Sequence, residues 1–135
     1  VMIKDMDIPQ KESLTVEFKS DLQRPDVSEK KRKSGYPDSD LIDEIVGMAN
    51  TEGGSLYLGV EDDGAITGLA PAHEDTIGLT AMVSNRTVPS LTIRAEIISI
   101  QGKKILIIDI PKSYSIIATV DGKVAVKAEL TFMVG

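Results

Sequence analysis

"LIDEIVGMANTEGGSLYLGVEDDGAITGL", residues 41–69, decides the fold because its hydrophobic period changes partway through. Leu41, Ile42, Ile45, Val46, Met48 and Ala49 recur at helical spacing, whereas Leu56, Leu58 and Val60 alternate along one side of a strand. Gly53 and Gly54 lie between the two patterns and readily take the left-handed backbone that closes a helix, so the helix is expected to stop near Asn50. Asp38, Ser39 or Asp40 is expected as its N-cap, and acids in the first turn suit the positive end of the helix dipole. After the strand, "EDDGAITGL" reads as a tight turn and a short return strand. Gly64 is placed for the positive φ of a bulged hairpin turn, and Gly59 for a close approach of backbone.

Working outward, "LTVEFKS" (14–20) alternates. Val16 and Phe18 share one face, and Thr15, Glu17 and Lys19 the other, the period of a half-buried strand. Downstream, "AHEDTIGLTAMVSNRT" brings Ile77, Ala81, Met82 and Val83 to partly helical spacing, weakened by Gly78. Past Pro89, "LTIRAEIISI" and "KKILIIDI" read as strands joined at Gln101-Gly102, and "SIIATVDGKVAVKAEL" repeats the pattern around Asp121-Gly122. The order strand, helix, hairpin, helix, strands implies an α+β fold in which helices pack on a mixed or antiparallel sheet. At 135 residues and 41% hydrophobic composition, the chain is expected to form one compact domain, 1–135, without staples.

With no cysteine and a single histidine, His73, neither a disulfide framework nor a thiolate zinc site can be built. The apolar runs are shorter than the roughly 20 residues of a membrane helix, and no signal-peptide pattern opens the chain. A soluble, cytoplasmic protein with no membrane partner is therefore expected. A net charge of −6 argues against a general nucleic-acid binder, yet six of the fifteen cations fall in one window. These are Lys19, Arg24, Lys30, Lys31, Arg32 and Lys33, interleaved with Pro25 and followed by Gly35 and Pro37. The window reads as a basic loop, either a solvated charge run or a phosphate-contacting segment.

Several chemistries are absent. There is no G-x-x-x-x-G-K-[ST] phosphate cradle, and the glycine-rich stretch leads into a strand, not a helix. A side-chain nucleophile with a histidine base is also a poor fit, since no G-x-S-x-G elbow occurs. Carboxylates remain: Glu12, Glu17 and the run Glu61, Asp62, Asp63. Hard oxygen ligands suit Mg²⁺ or Mn²⁺, ions that can activate water against a phosphodiester. In one continuous strand Glu12 and Glu17 would face opposite ways, so a shared metal requires Glu12 on a bent segment before the strand. For Glu61 to Asp63 the alternative is turn chemistry, and for Lys19 a surface ion pair with Glu17.

"ESLTVEFKS", paired with the stretch quoted above, resembles the Schlafen-type AlbA-like domain, a family also labelled divergent AAA. "VPSLTIRAEIISIQGKKILIIDIPKS" resembles its second half. The resemblance implies a compact α+β domain at the N-terminus of bacterial transcriptional regulators or helicase-related proteins, with DNA or RNA, a downstream domain and a homodimer as partners. The divergent-AAA label implies nucleotide binding, for which the chain has no P-loop. RNA-cleaving relatives use three acids, and matching motifs carries these onto Glu12, Glu17 and Asp62, with Mg or Mn as the implied cofactor. Toward the end, the family's Tyr-x-Arg-x-Gly segment is replaced here, with Lys127 nearest the arginine and Glu129 in place of glycine. The resulting expectation is a DNA-binding domain of a transcriptional regulator, contacting phosphates through Lys30, Lys31, Arg32 and Lys33, with Lys19 and Lys127 as lesser contacts. The alternatives are a metal-dependent endoribonuclease and a dimerisation scaffold.

Overall fold

The structure, a computed structural model, describes residues 8–22, 35–120 and 123–124. It is an α+β domain. A four-stranded sheet runs in the order β1 (Val16–Lys19), β2 (Gly54–Leu58), β5 (Lys103–Ile110), β4 (Arg94–Ile100). The first pair is parallel and the others antiparallel. Parallel strands need a crossover, and α1 (Asp38–Ala49) lies within it. A 3₁₀ turn (Pro71–Glu74) and α2 (Thr76–Asn85) follow β2. A smaller sheet joins β3 (Thr87–Val88), β6 (Ile117–Val120) and β7 (Lys123–Val124).

The alternation read from the sequence becomes two apolar layers. On the helix side, Leu41, Ile45 and Ala49 of α1 and Leu79 and Val83 of α2 meet Leu56, Leu58, Leu106, Ile108 and Ile110 of the sheet. On the other side, Phe18, Tyr57, Val60 and Ile105 form a second cluster, in which the Phe18 and Tyr57 rings meet edge to face at 5.9 Å. β5 is apolar on both faces because it lies between two strands and beneath both layers. The Gln101-Gly102 turn takes φ values of 55° and 75°, as a tight hairpin requires.

Three expectations change. Val60 does not continue the Leu56 and Leu58 side but joins the Phe18 cluster. Gly59, at φ +100°, turns the chain there, and its carbonyl accepts from the amides of Thr67 and Gly68. A Cβ on Gly59 would stand 3.0 Å from the Gly68 carbonyl carbon, so the expected close approach is real. The return strand shrinks to a single bridge between Val60 and Ile66. The N-cap is Pro37, whose ring has no hydrogen-bonding atom to cap with, while Asp38, inside the first turn, lies against His73.

Candidate functional site

Among the described residues the sheet ends at β1, and two of the acids singled out from the sequence, Glu12 and Glu17, lie along that edge. Ser13 and Val16 exchange backbone hydrogen bonds, so the chain bends just before β1 and folds Glu12 back along it. Glu12 Oε1 accepts from the Phe18 amide at 3.1 Å. Glu12 thus sits on a bent segment ahead of the strand, the placement needed for it to approach Glu17. Glu17 and Lys19 project toward α1. Lys19 Nζ lies 3.5 Å from Glu17 Oε2, 3.2 Å from Glu44 Oε1 and 5.9 Å from the centre of the Tyr36 ring.

Electrostatics follow from this crowding. Burial, and then the Glu12 and Glu44 charges, push the Glu17 carboxyl above its usual range, with Lys19 partly offsetting them. For Lys19, burial acts downward, but the Glu44 hydrogen bond and the negative groups around it prevail, so its pKa is raised. Its charge is committed to two carboxylates. Lys19, read from the sequence either as a lesser phosphate contact or as an ion-pair partner of Glu17, makes that ion pair and also joins β1 to α1 through Glu44. Glu44 and Tyr36 were not anticipated, since their partnership with Lys19 requires α1 to lie across the strand.

Asp62 stands apart. In the turn after β2, Glu61 accepts from Thr67 Oγ1 at 2.6 Å and Asp63 accepts from the Ala65 amide at 2.9 Å, leaving Asp62 exposed between them. Glu61 and Asp63 therefore perform turn chemistry. Among the described residues, no three carboxylate or imidazole groups stand together as a metal-ligand set. Glu12 and Glu17 are neighbours. With one oxygen of Glu12 held by an amide, Glu17 paired to Lys19 and Asp62 elsewhere, the three acids do not fit a Mg²⁺ or Mn²⁺ ion as arranged.

A second polar cluster begins two residues beyond β1. Asp21 is 1% exposed, and its carboxylate accepts from the Tyr36 amide at 2.7 Å and the Ala70 amide at 2.7 Å. His73 Nδ1 lies 2.9 Å from Asp21 Oδ2, while Nε2 lies 3.2 Å from Asp38 Oδ1. When protonated, the ring can donate to both carboxylates. Burial acts to lower the His73 pKa, but its hydrogen bond to Asp21 and the charges of Asp21 and Asp38 outweigh burial and raise it. The buried Asp21 and His73, with Asp38 at the start of α1, bind the end of β1, the start of α1 and the 3₁₀ turn into one unit. No sequence pattern links positions 21, 38 and 73. A lone histidine in a cysteine-free chain was the only available hint.

The Asp21 to Tyr36 bond also closes the base of the basic segment. Lys30, Lys31, Arg32 and Lys33, with Arg24, lie between these anchored flanks, outside the described residues, as does Lys127. Asn50 and Thr51, next to the glycine pair, are structurally occupied. Asn50 Nδ2 donates to the Ile116 carbonyl at 2.9 Å while Oδ1 accepts from the Ile116 amide at 2.8 Å, and Thr51 Oγ1 donates to the Gly47 carbonyl. This side chain imitates a strand partner and ties the end of α1 to the approach of β6.

A mixed sheet under two helices, with an acid-lined β1 edge and a buried aspartate–histidine anchor, defines a single α+β domain. Residues 12–131 match the family described as Schlafen, AlbA_2, and the chain belongs to that family. No curated protein matches it. Among solved structures, the DIP2311 protein from Corynebacterium diphtheriae is 25% identical, with a TM-score of 0.55 over 78% of this chain and 19% of its own. The N-terminal domain of a RecG-related protein from Nitrosomonas europaea shares the fold at 20% identity and a TM-score of 0.52, over 76% of this chain and 65% of its own. The chain thus spans less than two thirds of either relative. Among the described residues, no helix is long and apolar enough to cross a membrane.

Proposed function

We propose that this chain is a nucleic-acid-binding domain, of the kind found in transcriptional regulators, that contacts phosphates through Lys30, Lys31, Arg32 and Lys33. One observation carries the reading: a buried carboxylate, Asp21, accepts from the Tyr36 amide, so the two described flanks of the basic window are tied together on the domain. A protein of net charge −6 repels polyanions overall, and a cation-dense segment is the part of the sequence suited to overcoming that repulsion. Family membership and the fold shared with a domain of a RecG-related protein support the same direction. Labelled DNA and RNA duplexes titrated across a salt series test it. Affinity should fall steeply with salt, and replacing the four cations with alanine should flatten the slope by about three to four. Salt-independent or undetectable binding would reject the reading.

A second reading, endoribonuclease activity, rests on Glu12 and Glu17 being adjacent at an exposed edge, with Glu17 raised in pKa. Structured RNA with Mn²⁺ and a Glu17→Ala variant tests it: cleavage by the parent chain that the variant loses would favour the nuclease over the binding module.

A further inference from the structure

The approach to β6 carries an aromatic ring that lies outside the β1 cluster. Tyr114 is 73% exposed, and Lys112 Nζ stands over its ring, 5.8 Å from the centre. A single exposed ring is ordinary in a folded protein. What sets this one apart is how firmly its backbone is held.

Residues 111–116 are fixed to the end of α1 at three points. The chain passes so close to Gly53 that a Cβ there would stand 2.6 Å from the Lys112 amide nitrogen. The Ser113 amide donates to the Ala49 carbonyl at 2.6 Å. The Asn50 side chain both donates to and accepts from the backbone of Ile116, which is buried. Between these anchors Ser115 takes φ +59°, a left-handed backbone that costs a non-glycine residue energy. A short loop, pinned on both sides, thus turns a ring outward and sets a cation beside it.

We propose that Tyr114 and Lys112 form a stacking site for an unpaired base of a single-stranded nucleic acid, the ring taking the base and the ammonium an adjoining phosphate. The inference rests on the reading of the chain as a nucleic-acid-binding domain, and adds the strandedness of the ligand. Bases within a duplex have both faces covered by their neighbours, so an outward ring can stack only on one that is unpaired. Stacking needs a ring that is held in place and exposed, and the three anchors supply the first condition. With the ammonium over one face of the ring, the base takes the other. Lys112 also pairs with Glu52 at 3.1 Å, but both side chains are exposed, and such a pair is weak enough for a phosphate to replace the carboxylate. Neither group reads the sugar, so DNA and RNA strands both fit. Tyr36 flanks the start of α1 whereas this loop is anchored at its end, so the site is separable from the basic window.

Fluorescence anisotropy of labelled oligothymidylate, oligouridylate and a DNA duplex of equal length tests the inference, with thermal melting confirming that each variant folds. The parent chain should bind both single strands. Tyr114→Ala should weaken that binding about tenfold, the scale of one base–aromatic stack, and leave duplex binding unchanged. Tyr114→Phe keeps the ring and should bind as the parent does. Lys112→Ala should flatten the single-strand salt slope by about 0.7. Duplex binding by a chain whose single-strand affinity Tyr114→Ala leaves untouched overturns the inference and leaves the nucleic-acid reading standing. So does an equal loss on duplex and single strand, since the ring would then act through the fold. A parent chain that binds no nucleic acid overturns both.

Discussion

The two edges of one four-stranded sheet are built from opposite materials. At β1, charged side chains crowd together: Glu17 and Glu44 around a single Lys19, Glu12 beside Glu17, and just beyond the strand a buried Asp21 hydrogen-bonded to His73. At β4, the flanking helix carries no charge, and Leu79 and Val83 fasten it by apolar contact alone. The β1 edge is consequently held by directional, protonation-sensitive bonds, whereas the helix beside β4 is packed on the sheet by apolar side chains. That contrast sets Asp21 and Tyr36, the tied flanks of the basic window, at one side and a helix without charged side chains at the other.

The sharpest way to break the contrast is to remove the clamp. Asp21→Ala strips the partner from a buried imidazolium and two backbone amides, and should cost about 3–5 kcal/mol in urea unfolding, the range for orphaning a buried ion pair. Leu79→Ala, on the apolar side, should cost about 2–5 kcal/mol through lost burial and a cavity, and that loss should not change with pH or salt. A pH-dependent loss there would erase the distinction between the edges.

His73→Gln supplies the pH test. A histidine whose folded pKa lies above its unfolded value, here 6.5, contributes its full stability below the unfolded pKa and loses it as pH rises through the folded one. Melting temperatures of the variant should therefore fall furthest behind the parent under acidic conditions, and the gap should narrow above the raised folded pKa. A gap that widens with rising pH would contradict a protonated bridge between Asp21 and Asp38.

Smaller effects sharpen the same comparison. Glu44→Gln breaks a pair that is part exposed, so the stability change should lie within about 0–1 kcal/mol. Its informative readout is binding: with Glu44 neutral, Lys19 regains net charge, and affinity for a labelled duplex should rise modestly at low salt. Unchanged binding would mean that Lys19 is bound to its strand and not latent for phosphate. Asp62→Ala, at the exposed turn, should move stability by no more than about 0.5 kcal/mol. A large loss on thermal unfolding would show that Asp62 has a structural partner after all.

Much of the fold was legible because its signals are local. The helical spacing of Leu41 to Ala49, the alternation around Val16 and Phe18 and the Gln101-Gly102 turn each depend on residues a few positions apart, and each matches an observed element. The candidate site was legible only in part. The bend that returns Glu12 to β1 could be stated as a requirement, but whether Asp62 joins the two acids depends on where a turn comes to lie. Val60 illustrates the limit: its alternation was regular, yet a positive φ at Gly59 placed it in the opposite layer.

Taken alone, the sequence determined the α+β class, the order of elements, the cation-dense window and the family, since these rest on periodicity, turn chemistry and motif. Tertiary structure alone decided that Glu44 joins Glu17 at Lys19, that Asp21, His73 and Asp38 meet, and that α2, without charged side chains, packs beside β4, the last strand of the sheet among the described residues. The reason is physical: a charge is balanced and a carboxylate buried by groups distant in the chain, and only the packed fold brings those groups within hydrogen-bonding reach.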